Sequence, residues 1–133
     1  MSVVPSKYRG TPAYFFAFKE LLDAARFRGT VTYQQIAAVT GLPPRGSYMG
    51  AQVGHLLGEI SDDEHAAGRP MLSALCVSVS VTGIPGPGFY VLANQLGLLP
   101  SDEEDRAFWE AERERVYTAW KPLVYVPKKQ EPG

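Results

Sequence analysis

Apolar residues along the chain recur with helical period in four stretches and with strand period in one. After Thr11-Pro12, a cap followed by a proline at the first helical position, Phe15, Phe18, Leu22 and Ala25 repeat at spacings of three and four. With Phe16 and Leu21 beside them, they predict a core helix over 12–28 that ends at Arg28-Gly29. Thr32 and Gln35 make a Thr-x-x-Gln capping box ahead of Ile36, Ala37 and Val39, which predicts a second helix over 32–40. Gly41 stops it, and Leu42-Pro43-Pro44-Arg45-Gly46 cannot continue it, because proline lacks the N–H and restricts the residue before it. Ser47 is the next cap. Met49, Val53, Leu56, Leu57 and Ile60 then share one face of a helix over 47–60, leaving Tyr48, Gln52, His55 and Glu59 nearer the other. Two short helices across a proline-glycine turn predict a helix-turn-helix whose second member is the recognition helix.

Ser61-Asp62-Asp63-Glu64 repeats the capping-box pattern and predicts a short separate turn of helix to Ala67, with its acids at a positive helix end and a stop at Gly68. The period then changes: Val77, Val79 and Val81 alternate with polar positions in a β-branched run, Thr82–Gly88 is a glycine-proline loop, and Phe89–Leu92 is the expected return strand. The resulting β-hairpin across 71–92 stands where a winged helix carries its wing. Ser101 and Glu104 form a third box that opens a helix over 101–120, with acids first and Arg106, Arg113 and Arg115 following, and with Phe108, Ala111, Val116 and Trp120 inward. Leu123–Val126 reads as an edge strand. The expected organisation is a loosely held arm over 1–11, an α+β winged-helix domain with an added C-terminal helix over 12–120, and a tail over 121–133.

Length and charge narrow the function classes. A chain of 133 residues suits one core. It has neither an apolar run long enough for a bilayer nor a signal-like segment in MSVVPSKYRG, so a cytoplasmic protein without membrane contact is expected. The single Cys76 excludes an internal disulfide and a cysteine-rich zinc site. Net charge is −1, but residues 1–58 carry +4, residues 59–105 carry −7 and the remainder +2. The helix-turn-helix half is the basic half, which allows a phosphate-facing surface.

Tyr48, Gln52 and His55 on the recognition helix, Ser47 at its start, and Arg26, Arg28 and Arg45 with Lys7 and Arg9 are the candidate nucleic-acid contacts. Pro85, Gly86, Pro87, Phe89 and Tyr90 are the candidate wing contacts, although a rigid turn also explains them. Asp62, Asp63, Glu64 and His65 could supply metal ligands, but consecutive residues of a helical turn point apart and capping accounts for the acids. Hence no metal or cofactor is expected. No serine-histidine-aspartate set and no phosphate loop is present. Cys76 on a valine-rich strand, without a neighbouring cation, reads as a small inert hydrophobe.

Gly29, Val31, Tyr33, Gln34, Gln35, Ile36 and Ala37, followed by Gln52-Val53-Gly54-His55-Leu56-Leu57, resemble the winged-helix DNA-binding domain of the alkylguanine-DNA alkyltransferases and their alkyltransferase-like relatives. The resemblance implies a fold that repairs or flags alkylated bases, and it implies that Tyr33 helps displace a phosphate and rotate a base. Two positions depart from the family pattern. Ala51 stands where the family inserts an arginine into the base stack, and Pro70 is followed by Met71-Leu72-Ser73 in place of the reactive Pro-Cys-His-Arg. The expectation is a non-catalytic protein that binds double-stranded DNA with moderate, salt-dependent affinity and reads duplex structure or modified bases. The alternative is a winged-helix adaptor that binds protein through its acidic surface or through Trp109, Tyr117 and Trp120 of the last helix.

Overall fold

The computed structural model describes residues 2–43, 46–79, 83–99 and 105–122. Helix α1 spans Pro12–Arg26, opened by an extended Thr11 and a proline at the first position. Its buried face is Tyr14, Ala17, Leu21 and Ala25, while Phe15 and Phe16 stand 61% and 53% exposed. The expected inner face is therefore rotated, because two alanines let the neighbouring helices approach where phenylalanine would hold them off. Arg28 carries φ +58°, and two amides close the helix end: Arg28 N–H donates to Ala25 O and Gly29 N–H to Ala24 O.

Strand β1 (Val31–Thr32) leads directly into α2 (Tyr33–Thr40). The capping box forms as expected: Thr32 Oγ1 accepts from Gln35 N–H at 3.2 Å, and Gln35 Oε1 accepts from Thr32 N–H at 2.8 Å. Gly41 ends the helix at φ +79°, a left-handed conformation that glycine adopts without a side-chain clash.

Helix α3 runs unbroken from Gly46 to Ala66, so Ser61-Asp62-Asp63-Glu64 continues a helix rather than opening one. Glu59, Ser61, Asp62 and Glu64 are buried in its last turns. Cap-forming residues stay helical here because their side chains are taken by distant partners. Val3 and Val4 N–H donate to Asp62 at 3.0 and 2.9 Å, Tyr8 and Arg9 N–H donate to Glu59 at 2.9 and 2.8 Å, and the Arg9 guanidinium spans Asp62 and Asp63. Tyr14 also donates to Asp63, at 2.7 Å, and Arg69 pairs with Glu64 at 2.8 Å. The N-terminal arm is thus pinned along α3, contrary to the loose arm expected; the partners lie some fifty residues apart, beyond any local pattern. Gly68 closes the helix at φ +81° with Arg69 N–H donating to Glu64 O.

Leu72–Leu75 is a buried 3-10 turn, and β2 (Cys76–Val77) pairs in parallel with β1, Val31 opposite Cys76 and Thr32 opposite Val77. The hairpin expected across 71–92 is not formed. Phe89–Leu92 lies inside helix α4 (Pro87–Gln95), where Pro87 opens the helix and Phe89, Leu92 and Ala93 recur with helical spacing on its buried side. Helix α5 (Asp105–Ala119) buries Phe108, Trp109, Glu112, Val116 and Tyr117, whereas Ala111, expected inward, is exposed. It locks onto the 3-10 turn through Trp109 Nε1–H to Ala74 O at 2.9 Å and Met71 N–H to Glu112 Oε2 at 2.8 Å. Trp120 is half-buried with its edge on Phe18, ring centroids 6.3 Å apart. The capping box at 101–104 and the edge strand at 123–126 lie outside the described residues. The fold is α+β, mostly helical around a two-stranded parallel sheet, and no helix among the described residues is long and apolar enough to cross a membrane.

Glu59→Ala, which leaves the buried amides of Tyr8 and Arg9 without their acceptor, is expected to lower stability by about 3 kcal/mol in urea unfolding. Glu59→Gln keeps one acceptor and loses less. Equal stability of Glu59→Ala and wild type would show that the arm contributes nothing to the fold.

Candidate functional site

Helix α3 presents three faces. Val53, Leu56 and Ile60 enter the core. On the second face, Gln52 accepts from Lys7 Nζ at 2.6 Å and from the Tyr8 hydroxyl, and His55 Nε2 meets Pro5 O at 2.9 Å and Glu59 at 3.3 Å. The arm therefore covers two of the side chains expected to reach a partner. The third face is a file of glycines, Gly50, Gly54 and Gly58, which lie a helical turn apart and form one wall of a cleft of about 440 Å³. A Cβ at Gly50 or Gly54 would meet nothing within 4 Å, so this wall is open, whereas one at Gly58 would touch Val4 of the arm at 3.7 Å.

The opposite walls come from the start of α2 and the start of α4. Tyr33 is placed by the Thr32 cap, and its hydroxyl accepts from Gly86 N–H at 2.8 Å. A Cβ at Gly86 would stand 2.9 Å from that oxygen, so the contact requires glycine. Burial pushes the Tyr33 hydroxyl up to about 12, which keeps it protonated at neutral pH. Gln34, Ser73, Ser78 and Phe89 are among the other lining residues, and no charged side chain contributes to the lining among the described residues.

The remaining candidates are dispersed. Tyr48 is 58% exposed at the start of α3, beside exposed Ser47 and Ala51. Arg26 is exposed over the Phe27 ring, and Arg28 pairs with Glu114 at 2.7 Å while stacking over Tyr117 at 4.7 Å. Arg45 lies outside the described residues. Of the expected wing, Pro85 is buried, Gly86 and Pro87 line the cleft, and Phe89 packs against Phe108 with centroids 5.9 Å apart. Tyr90 meets the edge of Phe89, its hydroxyl buried without a partner.

Cys76 is 1% exposed, and burial pushes its thiol far up, so it is neither accessible nor ionised as a nucleophile must be. Trp109 and Tyr117 are buried, which removes them as anchors for a protein partner. Among the described residues no three histidine, cysteine or carboxylate side chains are grouped to hold a metal ion. Gln34, Ser73 and the glycine file were missed as site residues; glycine at every fourth position of an otherwise good helix is the signal that marked the last of these.

Tyr33 deprotonates more easily in the unfolded chain, near 10, than in the folded one, so its share of stability is lost as pH rises from about 10 through about 12. Tyr33→Phe is expected to flatten that part of the alkaline unfolding curve, leaving the part set by Tyr14, which burial raises in the same direction. At neutral pH it should cost about 1 kcal/mol, from the unmet Gly86 amide. An alkaline curve identical to wild type would mean that the hydroxyl is not held as described.

Comparison of the chain with protein-family models, curated proteins and solved structures finds no match.

Proposed function

We propose that the chain is a non-catalytic DNA-binding protein that receives a single nucleobase in the cleft between α2, α3 and α4. The observation that carries this reading is the position of the cleft: it opens along α3, the helix read here as the recognition helix, and Tyr33 forms part of its wall. A volume of about 440 Å³ accommodates one planar base. Enzymes and readers that inspect a base take it out of the stack into such a pocket, where apolar and aromatic walls replace stacking and a few polar groups read the edge. Exposed Tyr48 and Ser47 at the helix start, with Arg45 just before them in the sequence, are the duplex contacts.

In this reading α2 and α3 are the helix-turn-helix of a winged-helix-like domain, with the loop at 83–86 and the start of α4 in place of a hairpin wing. What supports a non-catalytic reading is that the lining holds no ionised side chain among the described residues and that Cys76 is sealed in the core. The basic side chains left for phosphate are few, because Arg9 is committed to Asp62 and Asp63 and Arg28 to Glu114. Affinity for plain duplex should accordingly be moderate.

Fluorescent duplexes, plain or carrying one alkylated base, are titrated at two salt concentrations with wild type, Arg45→Ala and Gly54→Leu. Binding should weaken with salt, and Arg45→Ala should reduce the salt slope by about one unit. Gly54→Leu, where an added Cβ meets no neighbour within 4 Å, should abolish discrimination between the plain and the alkylated duplex while retaining plain-duplex binding. If no duplex gives a salt-dependent shift, the proposal is wrong.

A further inference from the structure

Within the cleft, two hydrogen-bonding groups are left over after the protein's own contacts are made. The Gln34 carboxamide oxygen is shut off from solvent and has no partner. The last side-chain torsion of glutamine is soft, so the same group can turn to the cleft wall that Gln34 lines. Ser73 is the second. Ser61 Oγ accepts from Ser73 N–H at 3.0 Å and donates to Ser73 Oγ at 2.7 Å, so the Ser73 hydroxyl can direct its own hydrogen elsewhere. One spare acceptor and one spare donor thus belong to residues that line a space without a charged side chain among the described residues. A buried polar group left unpaired is unfavourable, and a ligand that completes both pairs gains what an apolar ligand cannot.

We propose that Gln34 and Ser73 select what enters the cleft: an uncharged heterocycle presenting an N–H donor beside a hydrogen-bond acceptor, the lactam or amidine edge of a nucleobase. The identity of the ligand as a base rests on the DNA-binding reading above; the donor and acceptor requirement rests on the two side chains alone. Charged groups such as phosphate stay outside, at the mouth, because nothing within would neutralise them.

The test is an amide-resolved NMR titration of the full chain with four nucleosides: thymidine, N3-methylthymidine, adenosine and N6,N6-dimethyladenosine. The first of each pair keeps the N–H and the second lacks it. Amides of Gly54 and Gly86 should shift saturably, and wild type should favour at least one parent over its methylated partner by about fivefold or more, the pair showing whether lactam or amidine fits. Gln34→Met, of similar volume and without polar atoms, should bind that parent roughly tenfold more weakly and lose the discrimination, with thermal stability no lower than wild type.

Equal affinities within both pairs for wild type overturn the inference, as does unchanged discrimination in Gln34→Met or no saturable shift with any nucleoside. The wild-type comparison needs no variant to fold. Duplex binding measured in parallel separates the two proposals. Lesion-dependent duplex binding without nucleoside discrimination removes only the role of Gln34 and Ser73. Nucleoside discrimination without duplex binding removes the DNA reading and leaves the selectivity of the cleft in place.

Discussion

Burying carboxylates in the last turns of α3 is the constraint on which the rest of the structure depends. An unpaired buried carboxylate is costly enough that its neighbours must supply donors, and the C-terminal end of a helix, with its own negative pole, supplies none. Glu59, Asp62 and Glu64 therefore recruit from outside: the backbone of residues 3–9, the Arg9 guanidinium and the Arg69 guanidinium. One consequence is the unbroken length of α3. Another is that the arm lies along one side of that helix, so only the glycine side and the exposed first turn are left to meet anything else.

A further buried carboxylate, Glu112 on α5, acts in the same way. It accepts from Met71 N–H and pairs with Arg115 at 2.7 Å, so α5 fixes the 3-10 turn from which Ser73 reaches the cleft. The parallel pairing of β1 with β2 fixes the same turn relative to the start of α2. Tyr33 and Ser73 are thereby held by elements that are themselves cross-braced. Geometry of that kind suits recognition, since the lining does not have to be ordered when a ligand arrives.

Local chemistry was legible in the chain. Pro12 at the first helical position, the Thr32–Gln35 box and Gly41 act where their order places them, whereas the Thr11 hydroxyl donates back to Tyr8 O and caps nothing. Long-range chemistry was not. Ser61-Asp62-Asp63-Glu64 has the composition of a helix start, and partners outside the helix, chiefly the arm some fifty residues away, make it the last turns of one. Of the run expected as a strand only Cys76–Val77 is one, paired with Val31–Thr32, while Val79 is exposed; and Pro87 starts a helix where a return strand was expected. Phe15 and Phe16 misled by size, because the close approach of helices favoured Ala17 and Ala25. Of the cleft, Tyr33 and the Gly86–Phe89 stretch drew attention from sequence alone; Gln34 and Ser73 did not, since nothing in an isolated glutamine or serine reveals that its partner is missing.

The open glycines of α3 carry one more implication, for how such a molecule can change. Alanine is the better helix former by close to 1 kcal/mol, and at Gly50 and Gly54 the added methyl would meet no neighbour. Folding alone would favour the larger residue, so the empty wall runs against the helix's own preference. It also means that the shape of the cleft is nearly uncoupled from the packing that holds the domain together. Side chains of graded size could be installed along that file, redrawing what the cleft admits while the core beneath α3 remains as it is.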